Sequence, residues 1–157
     1  INETLQKMMH EKLTQVGGVT YSAEEQKFAE AIYTTLNLPE RKLGSETEIQ
    51  PYEVSLGYGS TDVGDVSIAV PTVGLRTATY VPGTAGHSWQ STAAAGMSIG
   101  FKGAQVAAKT LTLAGIELFE NEDLRRAARA EFDAFRGSDF VYEALLGDRD
   151  PPLDYRK

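Results

Sequence analysis

Histidine and cysteine are the first side chains to look for in a chain that might do chemistry, and here there are 2 histidines and no cysteine. One of them, His87, closes the run Val81-Pro-Gly-Thr-Ala-Gly-His87-Ser-Trp89, a glycine-rich turn. A neutral imidazole in such a loop serves as a metal ligand, moves a proton, or only makes a hydrogen bond. The residues alone favour the last of these. Position speaks for the others, because a strand-to-helix corner is where α/β proteins gather ligands and catalytic groups. The other histidine, His10, shares the polar side of a helix with Gln6 and Thr14 and reads as solvated. A second stretch, Gly59-Ser60-Thr61-Asp62, is a glycine–hydroxyl loop running into a helix N-terminus around Asp62 to Ala69. Its backbone N–H groups suit a carboxylate, and a plain N-capped turn is the alternative. Asp62 would cap or lead that helix.

These groups need elements to hold them. Val73, Leu75, Thr77, Thr79 and Val81 alternate with Gly74, Arg76, Ala78 and Tyr80 at the period of a strand that delivers the turn to His87. After it, Ser91 to Phe119 reads as one long, mostly apolar helical segment. Its Phe101, Ala104, Ala108, Leu111, Gly115 and Leu118 recur every three or four residues as a buried stripe, and Gly96, Gly100 and Gly103 allow close backbone approach.

Before the strand, Asn2 to Val16 carries Leu5, Met8, Met9, Leu13 and Val16 at helical spacing, with Asn2 as N-cap and Gly17-Gly18 as the stop. Ser22-Ala-Glu-Glu25 is a capping box opening a second helix whose Phe28, Ile32 and Leu36 face inward, closed by Asn37 and Pro39. Pro39 to Tyr58 reads as a connector with short strands near Thr47 to Gln50 and Glu53 to Leu56. At the other end, Asn121 caps a helix with Leu124, Ala128, Phe132 and Phe135 inward, Arg125, Arg126 and Arg129 outward, and Gly137 at its end. The tail beyond Leu146 reads as extended.

Composition bounds the function. A chain of 157 residues, 41% hydrophobic and 24% charged, carries one ordinary core. A net charge of −7 argues against a nucleic-acid surface. Without cysteine there is no disulfide framework, no thiolate zinc site and no thiol nucleophile. No apolar run of roughly 18 residues or more and no signal-peptide pattern occurs, so the chain reads as soluble and cytoplasmic, with no membrane or nucleic-acid partner. It opens at Ile1 without a Met and reads as a piece of something longer. The order of elements is helix-rich and strand-poor, and two or three strands make a marginal sheet. An edge of a larger sheet, or one completed by a partner chain, is the physical expectation.

Gly59-Ser-Thr-Asp-Val-Gly-Asp-Val-Ser67, followed by Gly86-His-Ser-Trp-Gln90 and Gly96-Met-Ser-Ile-Gly-Phe-Lys-Gly103, resembles the aminoacylase and carboxypeptidase G superfamily of di-metal amidohydrolases. Within it, the resemblance is to the branch that acts on p-aminobenzoyl-glutamate, and it runs from Asn2 to about Leu146. It implies an α/β fold, with residues 1–146 forming the helix-rich, few-stranded C-terminal portion of a three-layer zinc-peptidase-like catalytic domain. The lid domain and N-terminal half are absent, and residues 147–157 are an extended tail.

The resemblance also implies a divalent metal cofactor, two zinc ions in most branches. His87 matches the late metal ligand. Gly59, Ser60, Thr61 and Asp62 form part of the substrate wall, where Ser60 and Thr61 contact the acidic part of an acyl-amino-acid substrate. The implied partners are the remainder of the catalytic domain and further copies in a homo-oligomer. The family's His-x-Asp motif, its site-forming Glu-Glu pair and its general base have no counterpart here, since Glu24-Glu25 reads as a capping box. The segment alone is therefore expected to be inactive. A non-catalytic truncated homologue or subunit-association module is the alternative, and an unrelated acidic α/β binding module a third reading.

Overall fold

The computed structural model describes residues 2–55, 61–144 and 147–154. Six helices follow in order: α1 (Glu3–Val16), α2 (Ala23–Tyr33), α3 (Val63–Ala69), α4 (Trp89–Ala95), α5 (Ser98–Glu120) and α6 (Glu122–Arg136), with a 3₁₀ turn at Ser45–Thr47. The helix-rich expectation holds. The strands do not appear among the described residues: Thr47 to Gln50 and Val73 to Val81 have no ladder partner, and Leu56, the end of the third expected strand, lies outside the described residues. A strand is defined by its neighbour, and periodicity cannot supply one. The burial pattern of a strand nevertheless survives, with Val73, Leu75, Thr77 and Thr79 half-buried and Gly74 and Arg76 exposed.

Helix α5 is the spine. Its C-terminal half packs with α1 and α6 around Leu5, Met8, Met9, Ala114 and Ala128. Its N-terminal end packs with α2, α4 and the His87 turn around Ala29, Ile32, Val81, Ala94 and Ile99. The long helix expected from Ser91 to Phe119 is two helices, broken at Gly96 and Met97. The break folds α4 back so closely that a Cβ at Gly100 would run into the carbonyl of Ala95. Close approach also holds at Gly103, where a Cβ would meet the carbonyl of Ala78 and the methyl of Thr79. The segment before the turn thus lies directly on α5.

The expected buried stripe holds at Leu118, which packs against the core of α1, α5 and α6, and is corrected further up the helix. Phe101 is 63% exposed, Leu111 is 50% exposed, and Ala104 and Ala108 are also open; the buried side is Ile99, Gly103, Thr110 and Ala114. Helix α5 is apolar on more than one face, and α1, α6 and the segment at Ala78 cover the other one. Phe135 is likewise outside, at 71% exposed, while Ala128 and Phe132 are buried.

Caps fix the helix starts. The side chain of Asn2 accepts from the N–H of Leu5 at 3.0 Å and donates to the carbonyl of Ala128 at 2.8 Å. The Glu131 carboxylate on α6 accepts from the N–H groups of Glu3 and Thr4, at 2.5 and 2.9 Å, so one helix satisfies the open donors of another. Asn121 accepts from the N–H of Leu124 at 3.0 Å. Arg125 is exposed, as expected of an outward arginine, and its guanidinium also donates to the carbonyls of Leu118 and Phe119, at 2.6 and 2.9 Å, closing the C-terminal end of α5. The capping box at Ser22 is present, and its Glu25 does more than cap. Its carboxylate accepts from the Ser22 N–H at 2.6 Å and from the Lys102 ammonium at 2.5 Å. Lys102 also donates to the Thr20 carbonyl at 2.9 Å, tying α5 to the start of α2.

Candidate functional site

The His87 turn is built from two local devices. Pro82 and Gly83 form the centre of a type II turn, with the Thr84 N–H donating to the Val81 carbonyl at 3.1 Å and Gly83 at φ +80°. Gly83 is required twice over, because a Cβ there would lie 2.5 Å from Cβ of Pro39 and 3.0 Å from the carbonyl oxygen of Arg41. Five residues on, Ser88 opens α4. Its hydroxyl accepts from the Ser91 N–H at 3.2 Å, the Ser91 hydroxyl accepts from the Ser88 N–H at 3.3 Å, and the Ser88 hydroxyl donates to the Ala85 carbonyl at 2.7 Å.

His87 lies between these fixed points, exposed, with φ +57°. Positive φ is uncommon outside glycine, although Asn, Asp and His are enriched there, and Leu38 shares it at φ +49°. The neighbouring Trp89 is 61% exposed. Ring and indole both face solvent.

A divalent metal needs three or four donors. Among the described residues, no group of three or more His, Cys, Asp or Glu side chains is placed to hold one. The donors among the described residues do not by themselves make up a metal site.

The second expected site lies on α3. Gly59 and Ser60 are outside the described residues. The Thr61 hydroxyl accepts from the Val63 N–H at 3.3 Å and donates to the Asp62 carboxylate at 3.4 Å. Asp62 leads the helix without a side-chain capping bond, since its backbone is already helical at φ −76° and ψ −6°. No residue of α3 is buried, and its Val63, Val66 and Ile68 are exposed. Among the described residues no hydrogen bond joins this loop to the His87 turn. His10 is corrected from solvated to half-buried, its ring edge-on to Tyr52 with centroids 5.8 Å apart.

A feature that the sequence does not announce lies beside the turn. A cavity of about 820 Å³ is lined by Arg76 to Ala85, by residues between Asn37 and Gln50, and by Leu13, Gly17 to Val19 and Val106. The Thr84 hydroxyl, on this wall, is buried without a hydrogen-bond partner among the described residues. Arg76 was the available signal, as the lone charge in an otherwise uncharged β-like run.

The arrangement is thus a helix-rich layer presenting a strained, exposed histidine on a glycine turn. No family model matches the chain, and no solved structure matches it. Among curated proteins it is similar to a subunit of the p-aminobenzoyl-glutamate hydrolase of Escherichia coli (strain K12), 29% identical over 155 residues, covering 83% of this chain and 32% of the relative. The chain spans about a third of that relative's length.

Proposed function

We propose that this chain is part of a metal-dependent amidohydrolase of the peptidase-like kind, which hydrolyses the amide of N-acyl amino acids such as aminobenzoyl-glutamate. The observation that carries this reading is the similarity to a p-aminobenzoyl-glutamate hydrolase across 83% of the chain. The conformation of His87 supports it. The imidazole is exposed, and its backbone is held between a fixed turn and a capping box, which leaves it open to a group outside this chain.

In this reading His87 contributes one ligand to a divalent metal site, of two zinc ions, whose remaining donors lie outside these residues. Thr61 and Asp62, with Gly59 and Ser60, form part of the substrate wall. The remainder of the catalytic domain and further copies of the protein are the partners, and the segment alone does not turn over substrate.

The test is His87→Ala in the complete gene product, with metal content and hydrolysis of aminobenzoyl-glutamate measured together. Loss of one metal and of most hydrolysis, with the fold retained, is the expected result. Full activity with unchanged metal content would sink the assignment. A subunit-association role without chemistry is the second reading, favoured by the open apolar face of α5. It expects a complete gene product that assembles but leaves aminobenzoyl-glutamate intact.

A further inference from the structure

Trp89 is the one tryptophan of the chain, and it stands 61% exposed as the first residue of α4. The core beneath does not use it. The buried residue of α4 is Ala94, which packs with Ala29, Ile32, Val81 and Ile99. The backbone that carries the indole is nonetheless fixed, because Ser88 and Ser91 close their capping box around it. The indole is thus positioned by the fold and contributes little to it.

Its surroundings say what can lie against it. One helical turn on, at the spacing that shares a face, are Thr92 and Ala93; before it come Ala85, Gly86 and Ser88. All are small, and all but Ser88 are exposed. A face that packs on another layer of polypeptide carries a stripe of several large apolar residues, as α5 does at Phe101, Leu111, Ile116 and Phe119. Helix α4 carries one. A lone aromatic surface among short neighbours has room for a flat ring and lacks the breadth to seat a helix or a sheet.

We infer that Trp89 stacks on the aromatic acyl ring of the substrate and so selects aryl-acyl over alkyl-acyl amino acids. The choice of ring rests on the function proposed above, in which the substrate's amide lies at the His87 turn. The span is right for it. Ser88 is extended, at φ −121° and ψ 159°, and two residues of extended chain reach at most about 7 Å, so the Cα atoms of His87 and Trp89 are no further apart than that. In an aminobenzoyl amino acid the ring is bonded directly to the carbonyl of the amide that breaks, which keeps it within the same span. An electron-rich benzoyl ring packs on an indole offset or edge-on, with centroids about 4.5–7 Å apart. The other half of the substrate, a dicarboxylate, is repelled by the negative face of an indole.

Hydrolysis by the complete gene product tests this, on aminobenzoyl-glutamate and on acetyl-glutamate, which has the same amide and amino acid and no ring. Trp89→Leu should lower kcat/KM for aminobenzoyl-glutamate on the order of tenfold, the effect of losing one aromatic pair, and leave acetyl-glutamate within about twofold. Trp89→Phe should recover most of the loss, and it decides alone if acetyl-glutamate reacts too slowly to measure. Helical circular dichroism should be unchanged in both variants, as an exposed side chain outside the core requires. A variant that unfolds, or an equal loss on both substrates, marks Trp89 as a support or as a residue covered by polypeptide and overturns the inference. Hydrolysis of both at an unchanged ratio in Trp89→Leu removes the stack and keeps the proposed function. Should the unaltered protein hydrolyse neither compound, the proposed function falls and titration calorimetry decides the stack: aminobenzoyl-glutamate bound about tenfold more weakly by Trp89→Leu keeps it, and binding that is absent or unchanged overturns it.

Discussion

His87 occupies a backbone conformation that works against its own side chain. At φ +57° an L residue costs about 1–2 kcal/mol relative to the right-handed or extended regions, and glycine adopts the same angle without that cost. Glycine is present where the neighbouring turn needs it, at Gly83, and absent at His87. The ring is exposed, which leaves it open to the ligand role proposed above. His87→Gly should therefore stabilise the fold, by about 0.5–1 kcal/mol once the added freedom of glycine in the unfolded chain is subtracted. The readout is a higher urea midpoint at unchanged slope. A lower midpoint would mean that the ring contributes packing that outweighs the strain.

Between elements, the contacts that matter most join residues far apart in the chain. The Glu25 carboxyl is held well below the usual range, at about 2, chiefly by the hydrogen bond from Lys102, with Ser98 and the Ser22 backbone adding to it. A carboxyl whose folded pKa is depressed adds stability above its unfolded pKa of about 4.5 and loses it as pH falls toward 2. Glu131, also shifted down through its bonds to α1, acts in the same sense. Stability should thus be level with respect to Glu25 above about pH 5 and decline below it. Glu25→Gln should cost about 1–3 kcal/mol at neutral pH and flatten the acid limb, measured as denaturant midpoints across pH. An unchanged acid limb in the variant would show that Glu25 is not the group being titrated.

The caps at Asn2, Ser22 and Asn121 were legible because each spans three or four residues and is complete within them. The second role of Glu25 was not, since its partner Lys102 is distant in sequence and read only as a break in an apolar run. The division of α5 from α4, and the choice of which apolar side of α5 to bury, were hidden for the same reason. Ala95 against Gly100 is local but depends on the direction of the fold-back, and Ala114 reaches Leu5 and Ala128 only through the tertiary structure. At the site, His87 and its turn were readable from glycine spacing. The cavity beside it was not, because an unpaired edge and a paired strand share the same alternation.

At the scale of the whole molecule, two opposing features set the solution behaviour. The net charge of −7 keeps copies apart. Against it, Phe101, Leu111, Ile116 and Phe119 leave one side of α5 apolar and open, with Phe119 at 87% exposed, and α3 adds Val63 and Val66. Open apolar surface of this kind recruits another chain, and counter-ions weaken the repulsion that opposes it. The 157-residue chain by itself should therefore self-associate at roughly 10–100 μM, more strongly as salt is raised, in sizing by light scattering. Phe101→Glu combined with Leu111→Glu should return it to a monomer without loss of helical circular dichroism, because neither ring nor isobutyl group is needed by the core beneath. In the complete gene product the same pair of changes should have the opposite consequence. If the face of α5 is covered there, two carboxylates placed under that cover face desolvation, and the variant should unfold or lose its midpoint by several kcal/mol. A chain that is monomeric alone in high salt, or a complete protein as stable with both glutamates as without them, would show that this face of α5 is a free surface.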